Sequence, residues 1–300
     1  MRDHEHLVET ITQRVLRALV AQPLSASTGA AATAARCPDC VGCCAAHCSD
    51  KVRSVLGAGA GRIAFAAAAT QTGHAISGAE VPTDLARFID HTLLKPDATS
   101  AQIDTLCDEA KRYGFAAVCV NPVWVKRAST RLRGSKVRVA SVIGFPLGAN
   151  APEIKVAEAR RALRDGAREI DMVINIGALK SGDHPFVARD IAGVSNACRE
   201  VGAINKVIVE AALLRDEEKV IASRLARDAR AHYVKTSTGF GPGGATVYDV
   251  ALMREAVGPK LGVKAAGGIK GADDAQAMIA AGATRIGASA GVAMVTGRSG

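Results

Sequence analysis

Two lysines near the C-terminus each open a glycine-rich run: Lys235-Thr-Ser-Thr-Gly239 and Lys264-Ala-Ala-Gly-Gly268. Each follows a short apolar segment, His232-Tyr-Val234 and Leu261-Gly-Val263, which places it at the end of a strand. A lysine buried there is costly unless it is paired or neutral. Two lysines brought together lower each other's pKa, because like charge disfavours the protonated form. The chemistry this permits is nucleophilic, since a neutral amine adds to a carbonyl and forms an imine. At the reference pKa of ~10.4 only about one lysine in 2,500 is neutral at pH 7, so the surroundings must supply the nucleophile. The alternative is a pair of surface lysines whose stems lie along strand ends.

The elements that must position these lysines repeat with regularity from residue 81 onward. Strand-like runs are expected at Asp90–Leu94, Phe115–Val120, Val137–Ile143, Glu169–Ile174, Lys206–Val209, Tyr233–Lys235, Gly262–Ala265 and Thr284–Ile286. Helix-period segments lie between them. Ser100 is expected to cap one, with Ile103, Leu106, Cys107 and Ala110 on a shared face and Gly114 as its stop. Pro122 suits the first helical position of the next. Asp216 starts another, with Glu217 and Glu218 at its positive end, and Asp273 and Asp274 begin the last. Eight such units in about 220 residues predict an α/β fold, a (β/α)8 TIM barrel. The competing doubly wound sheet wants a phosphate-binding glycine fingerprint after its first strand, and His91-Thr-Leu-Leu-Lys-Pro96 offers none.

In such a barrel the C-terminal strand ends share one face, where active sites are built. That face is expected to collect Thr92, Asn121, Asp171, Glu210, Lys235 and Lys264. Asp171 serves either as a proton-transfer group or as a salt-bridge partner for the lysines. Glu210 either orients a lysine or takes part in the chemistry. The glycine runs Gly239–Gly244, Gly267–Gly268 and Gly287–Gly291 follow the last three strands, where backbone N–H groups can approach an anion closely. Lys270 is either a further positive charge there or an ordinary solvated lysine.

Composition agrees with a small anionic substrate. The 300 residues carry a formal net charge of +9, nearly all of it in residues 81–300. Aromatics are 3%, too few for stacking single-stranded nucleic acid, and no Lys/Arg tract suggests a nucleic-acid partner. No apolar run approaches the roughly 18 residues of a membrane span. The chain is expected to be cytoplasmic, with reduced cysteines. Cys107, Cys119 and Cys198 are expected in the core.

Residues 1–80 are not needed to complete the barrel. Residues 1–20 are read as an amphipathic targeting or docking helix, residues 21–80 as a mostly flexible Cys/Ala/Gly-rich linker, and residues 81–300 as the barrel. Leu7, Val8, Ile11, Val15, Ala18 and Leu19 recur at helical spacing, while Asp3, Glu5 and Glu9 argue against an organellar transit peptide. Cys37, Cys40, Cys43 and Cys48 have spacing that suits either a metal loop or a redox-sensitive linker. A second cysteine knuckle is missing. Arg62–Thr70 could form a short helix.

Six collinear motifs resemble deoxyribose-phosphate aldolase across about residues 81–300. They are Asp90-His-Thr-Leu-Leu-Lys-Pro96, Val118-Cys-Val-Asn-Pro122, Ser141-Val-Ile-Gly-Phe-Pro-Leu-Gly148, Glu169-Ile-Asp-Met-Val-Ile-Asn-Ile-Gly177, Val234-Lys-Thr-Ser-Thr-Gly-Phe240 and Val263-Lys-Ala-Ala-Gly-Gly268. The resemblance implies a metal-independent class I lyase with no cofactor, cleaving 2-deoxy-D-ribose 5-phosphate to acetaldehyde and D-glyceraldehyde 3-phosphate. It implies Lys235 as the imine-forming lysine, Lys264 as the neighbour that lowers its pKa, and Asp171 as the proton shuttle. Asp90 would support that relay and Thr92 would contact a substrate hydroxyl. Gly239, Gly267, Gly268, Gly287 and Ser289 fall where the family binds phosphate. Ala266 departs from the family pattern, which often has serine there. Residues 4–20 resemble the peptides that direct enzymes into bacterial microcompartments by docking on a shell protein. A homo-oligomer is expected. Two other readings are an aldolase of a related sugar phosphate and a silent barrel serving as a scaffold.

Overall fold

The structure, a computed structural model, describes residues 83–297 and Gly57. The helix expected at residues 1–20, the linker at 21–80 with its cysteine cluster, and the short helix at Arg62–Thr70 lie outside the described residues. So does the boundary assigned at residue 81.

Eight parallel strands close into a barrel in sequence order: β1 Ile89–Leu93, β2 Ala117–Val120, β3 Arg138–Ile143, β4 Glu169–Val173, β5 Ile204–Ile208, β6 Tyr233–Lys235, β7 Gly262–Ala266 and β8 Arg285–Ala288. β8 pairs with β1 and leaves no edge, with Asp90 opposite Gly287. The helices are α1 Ser100–Tyr113, α2 Val125–Arg131, α3 Pro152–Arg164, α4 Ile176–Lys180, α5 His184–Arg199, α6 Asp216–Asp228, α7 Val247–Val257, α8 Ala272–Ala280 and α9 Gly291–Thr296.

Local chemistry fixes several boundaries. Thr99, not Ser100, caps α1: its hydroxyl accepts the Gln102 amide while Gln102 Oε1 accepts the Thr99 amide at 2.8 Å. Gly114 ends that helix in the left-handed region, φ 69°, as expected. Pro122 opens a single 3₁₀ turn, Pro122–Trp124, that leads into α2. β5 begins two residues before the expected start, which puts Lys206 in the middle of the strand rather than at its entrance.

Side chains alternate along each strand between the barrel interior and the helices. Ile89, Val118, Ile170, Val207, Val234, Val263 and Ile286 are fully buried on the outer set. The inner set is divided. Ala117, Cys119, Ala140 and Val142 pack with Leu94 as an apolar cluster on the β2–β3 side. The rest of the interior also carries buried charges, although burying each ion costs several kcal/mol unless it is well paired. An interior of that kind is expensive scaffolding, and its groups must compensate one another.

Candidate active site

The charged interior is built by residues from six strands. Lys264 Nζ on β7 lies 2.5 Å from Asp90 Oδ2 on β1 and 2.7 Å from Asp171 Oδ2 on β4. Lys235 Nζ on β6 reaches the same Asp171 oxygen at 2.9 Å. These strands are not all neighbours, so the contacts cross the barrel interior. The expected convergence of Lys235, Lys264 and Asp171 is therefore present, hinged on one carboxylate oxygen.

Three further groups complete the cluster, and none was singled out from the sequence. Lys206 Nζ contacts Glu169 Oε2 at 2.5 Å, Asp171 Oδ1 at 2.7 Å and Asp90 Oδ2 at 3.5 Å. Arg285 Nη1 contacts Asp90 Oδ1 at 2.6 Å and Glu169 Oε2 at 3.2 Å. The available signal was period two: Glu169 and Asp171 share a face, and the register sets Asp171 beside Lys206 and Lys264 beside Arg285. Four cations thus face three carboxylates in the described interior. With one amine neutral, the charges balance.

Burial and ion pairing oppose one another at these groups. Desolvation pushes the Asp171 carboxyl upward, but the Lys206, Lys235 and Lys264 charges outweigh it and hold its pKa well below the usual value. Asp90 is lowered on the same balance, against Lys264, Lys206 and Arg285. Burial depresses Lys264, but Asp171 and Asp90 lift it above the ordinary lysine value. That corrects the expectation of mutual depression for this member of the pair: Lys264 is held as a cation. Lys206 is raised further, with burial opposed by Asp171, Glu169 and Asp90.

These directions predict a pH profile for stability. Asp90 and Asp171 have lowered folded values, so their contribution is full above the unfolded value of ~3.9 and is lost as pH falls below it. Lys206 and Lys264 have raised folded values, so theirs is full below ~10.4 and is lost as pH rises through the higher folded values. The contribution of these four groups to the urea midpoint is expected to be flat from about pH 5 to 9 and to fall outside that range. In Asp171→Asn the acid limb should be shallower; an unchanged limb would show that other carboxylates dominate it.

Above the cluster opens a cavity of ≈ 250 Å³ at the C-terminal ends of the strands. Lys235 lines it, whereas Lys264, Asp171 and Asp90 lie behind it. Thr92, Gly239, Gly267, Gly268, Gly287 and Ser289 line it as the sequence suggested. Lys95 is an addition. Gly239 and Gly267 have φ of 86° and 87°, the left-handed region that suits glycine. At Gly287 a Cβ would stand 2.9 Å from Lys264 Cε, so glycine is what lets that lysine pass beside β8. Ala266 lines the cavity, and its backbone N–H and C=O both bond to the Thr236 hydroxyl at 3.1 Å.

Two residues of the expected face do other work. Asn121 Nδ2 donates to the Leu94 carbonyl at 3.0 Å and braces the loop after β1. Glu210 neither orients a lysine nor lines the cavity; its carboxylate accepts the Thr238 hydroxyl at 2.5 Å. Lys270 is exposed and stands outside the cavity lining. Among the described residues no His/Cys/Asp/Glu group has the arrangement to hold a metal ion.

Comparison with known proteins agrees with this geometry. Residues 85–299 match the DeoC/LacD family aldolase model. The chain is 59% identical over 216 residues to the deoxyribose-phosphate aldolase of Geobacillus sp. (strain WCH70), covering 72% of this chain and 96% of that protein. It is 61% identical over 219 residues to the deoxyribose-phosphate aldolase of Thermococcus gammatolerans, covering 72% and 97%. The solved deoxyribose phosphate aldolase of Aeropyrum pernix, described as tetrameric, superposes with a TM-score of 0.67 at 34% identity, over 81% of this chain and 96% of that one. Matches of this extent place the whole barrel in one family: the chain belongs to the deoxyribose-phosphate aldolases, within the DeoC/LacD family of aldolases.

Proposed function

We propose that the chain reversibly cleaves 2-deoxy-D-ribose 5-phosphate to acetaldehyde and D-glyceraldehyde 3-phosphate through an imine on Lys235. The observation that carries this reading is that Lys235 is the lysine of the buried ion cluster that also lines the cavity. It has one carboxylate contact, against two for Lys264 and three for Lys206. In a cluster with four cations and three carboxylates, it is the amine least tied to a carboxylate.

The neutral Lys235 amine adds to the C1 aldehyde of the open-chain sugar to give a carbinolamine. Loss of water leaves a protonated imine. A base removes the C3 hydroxyl proton, the C2–C3 bond breaks, and its electron pair moves into the imine as an enamine. D-glyceraldehyde 3-phosphate departs. Protonation at C2 and hydrolysis then return Lys235 and release acetaldehyde. Asp171 is placed to pass protons, because its Oδ2 touches both Lys235 and Lys264. The Lys264 ammonium serves as the store from which Asp171 is replenished, and Asp90 and Arg285 fix its position.

The glycines after β6, β7 and β8 provide backbone N–H groups for the phosphate. Gly267→Val would put a branched side chain at φ 87° with its Cβ 3.1 Å from Gly244 Cα. The KM for 2-deoxyribose 5-phosphate should rise at least about tenfold, while that for unphosphorylated 2-deoxyribose changes little. Equal changes for both would remove these loops from phosphate binding. The activity itself is tested by incubating the protein with 2-deoxyribose 5-phosphate and measuring acetaldehyde and D-glyceraldehyde 3-phosphate. Absence of both products overturns the reading.

We also propose two associations of the chain. The tetrameric description of the Aeropyrum pernix relative supports a homo-oligomer. The helical spacing of apolar residues 7–19 supports docking of that segment on a microcompartment shell protein.

A further inference from the structure

One contact at the barrel mouth is not used by the chemistry above. The rings of Phe145 and Phe240 meet edge to face, with centroids 5.3 Å apart at 88°. Phe145 follows β3 and Phe240 follows β6, strands that are not neighbours in the barrel. The contact therefore spans the opening instead of running along its rim. Phe240 lines the same cavity as Lys235. Phe145 rests on the interior cluster of Leu94, Cys119 and Val142.

Phe240 is also held from its own loop. Glu210, just after β5, is buried and takes the left-handed conformation, φ 55° and ψ 63°, which is uncommon for a residue other than glycine. Its carboxylate accepts the Thr238 hydroxyl at 2.5 Å and the Thr238 amide at 3.3 Å. The Thr238 hydroxyl in turn accepts the Phe240 amide at 3.0 Å. Gly241 lies against the same carboxylate, where a Cβ would be 2.9 Å from Glu210 Cδ. A buried carboxylate in a strained conformation thus directs its acceptors to the loop that carries the ring. Phe240 nevertheless remains 51% exposed. Its placement serves the cavity more than the core.

We propose that Phe240, backed by Phe145 and set in place by Glu210 through Thr238, is the specificity-determining residue that restricts the donor carbonyl on Lys235 to a two-carbon aldehyde. This rests on the imine reading above. The cavity of ≈ 250 Å³ is below the roughly 300–1,000 Å³ of common ligand pockets. Its glycine loops are assigned to the phosphate, and Phe240 is its largest apolar lining side chain. A ketone donor carries a second carbon substituent on the carbonyl, which has to be seated in the cavity that Lys235 and the ring both line.

The test uses D-glyceraldehyde 3-phosphate as acceptor and compares kcat/KM for propanone and acetaldehyde as donors. Phe240→Ala should raise the propanone-to-acetaldehyde ratio at least about tenfold, the lower bound for one carbon in an apolar pocket. Phe145→Ala should shift it in the same direction by less. Glu210→Ala should shift it too, and Glu210→Gln, which keeps an acceptor for Thr238, should restore it toward the wild-type ratio. Phe240→Leu provides an intermediate shift should the alanine variant fail to fold. An unchanged ratio in the Phe240 variants, with acetaldehyde still trapped on Lys235 by borohydride, overturns the role of Phe240 alone. A wild-type protein that traps no acetaldehyde overturns the imine reading beneath it.

Discussion

Lys235→Ala is expected to yield a folded barrel that has lost both turnover and the acetaldehyde adduct trapped by borohydride. The enamine electron sink exists only while the donor is bonded to an amine, and no other lysine of the cluster lines the cavity. Loss of that covalent route should lower kcat/KM by at least about 10⁴-fold, or about 5 kcal/mol in the barrier at 1.36 kcal/mol per tenfold. Folding should survive the change for an electrostatic reason. Lys235 has one carboxylate contact, and Asp171 keeps Lys206 at 2.7 Å and Lys264 at 2.7 Å after it is gone. With Lys235 gone, the remaining three cations and three carboxylates of the cluster are balanced. Mass spectrometry of the reduced adduct identifies the residue, and an adduct that persists in Lys235→Ala would move the nucleophile elsewhere.

The strand ends were easier to read from the sequence than the strand middles. Lys235, Lys264 and Asp171 could be brought together because each ends or interrupts an apolar run in a repeating β–α pattern. Lys206, Glu169 and Arg285 could not, because their partners are on other strands and the pairing depends on register. A shift of one residue in β5 would turn Lys206 from the interior to the helix side. Glu210 was assigned to the active face by position alone, while its left-handed backbone sends the carboxylate to Thr238. The Phe145–Phe240 contact joins loops separated by 95 residues, and no local pattern reports it. Thr99 displaced Ser100 as the α1 cap because Gln102 stands three residues after Thr99 and completes the reciprocal pair.

The largest effect on stability is expected at Lys206, where replacement by methionine keeps the length of the side chain and deletes its charge. Lys206 is fully buried and is the cation with contacts to Asp90, Glu169 and Asp171 together. Removing it leaves Glu169 with Arg285 at 3.2 Å and Arg138 at 3.5 Å, and leaves Asp171 dependent on the two active-site lysines. Asp90, Glu169 and Asp171 would each lose a cation contact in a site without water's screening. Breaking a buried ion pair by deleting one partner typically costs about 3–5 kcal/mol, since the other charge stays buried and uncompensated. For a barrel of this size, each kcal/mol lowers the melting temperature by roughly 2–4 °C, so the variant should melt about 10 °C lower. The urea m-value should hold, because the surface exposed on unfolding is the same. Glu169→Gln in the Lys206→Met background should recover part of the loss by removing one unpaired charge. A Lys206→Met midpoint equal to that of the wild type, with no gain from the second change, would mean that the interior carboxylates do not depend on Lys206 for their compensation.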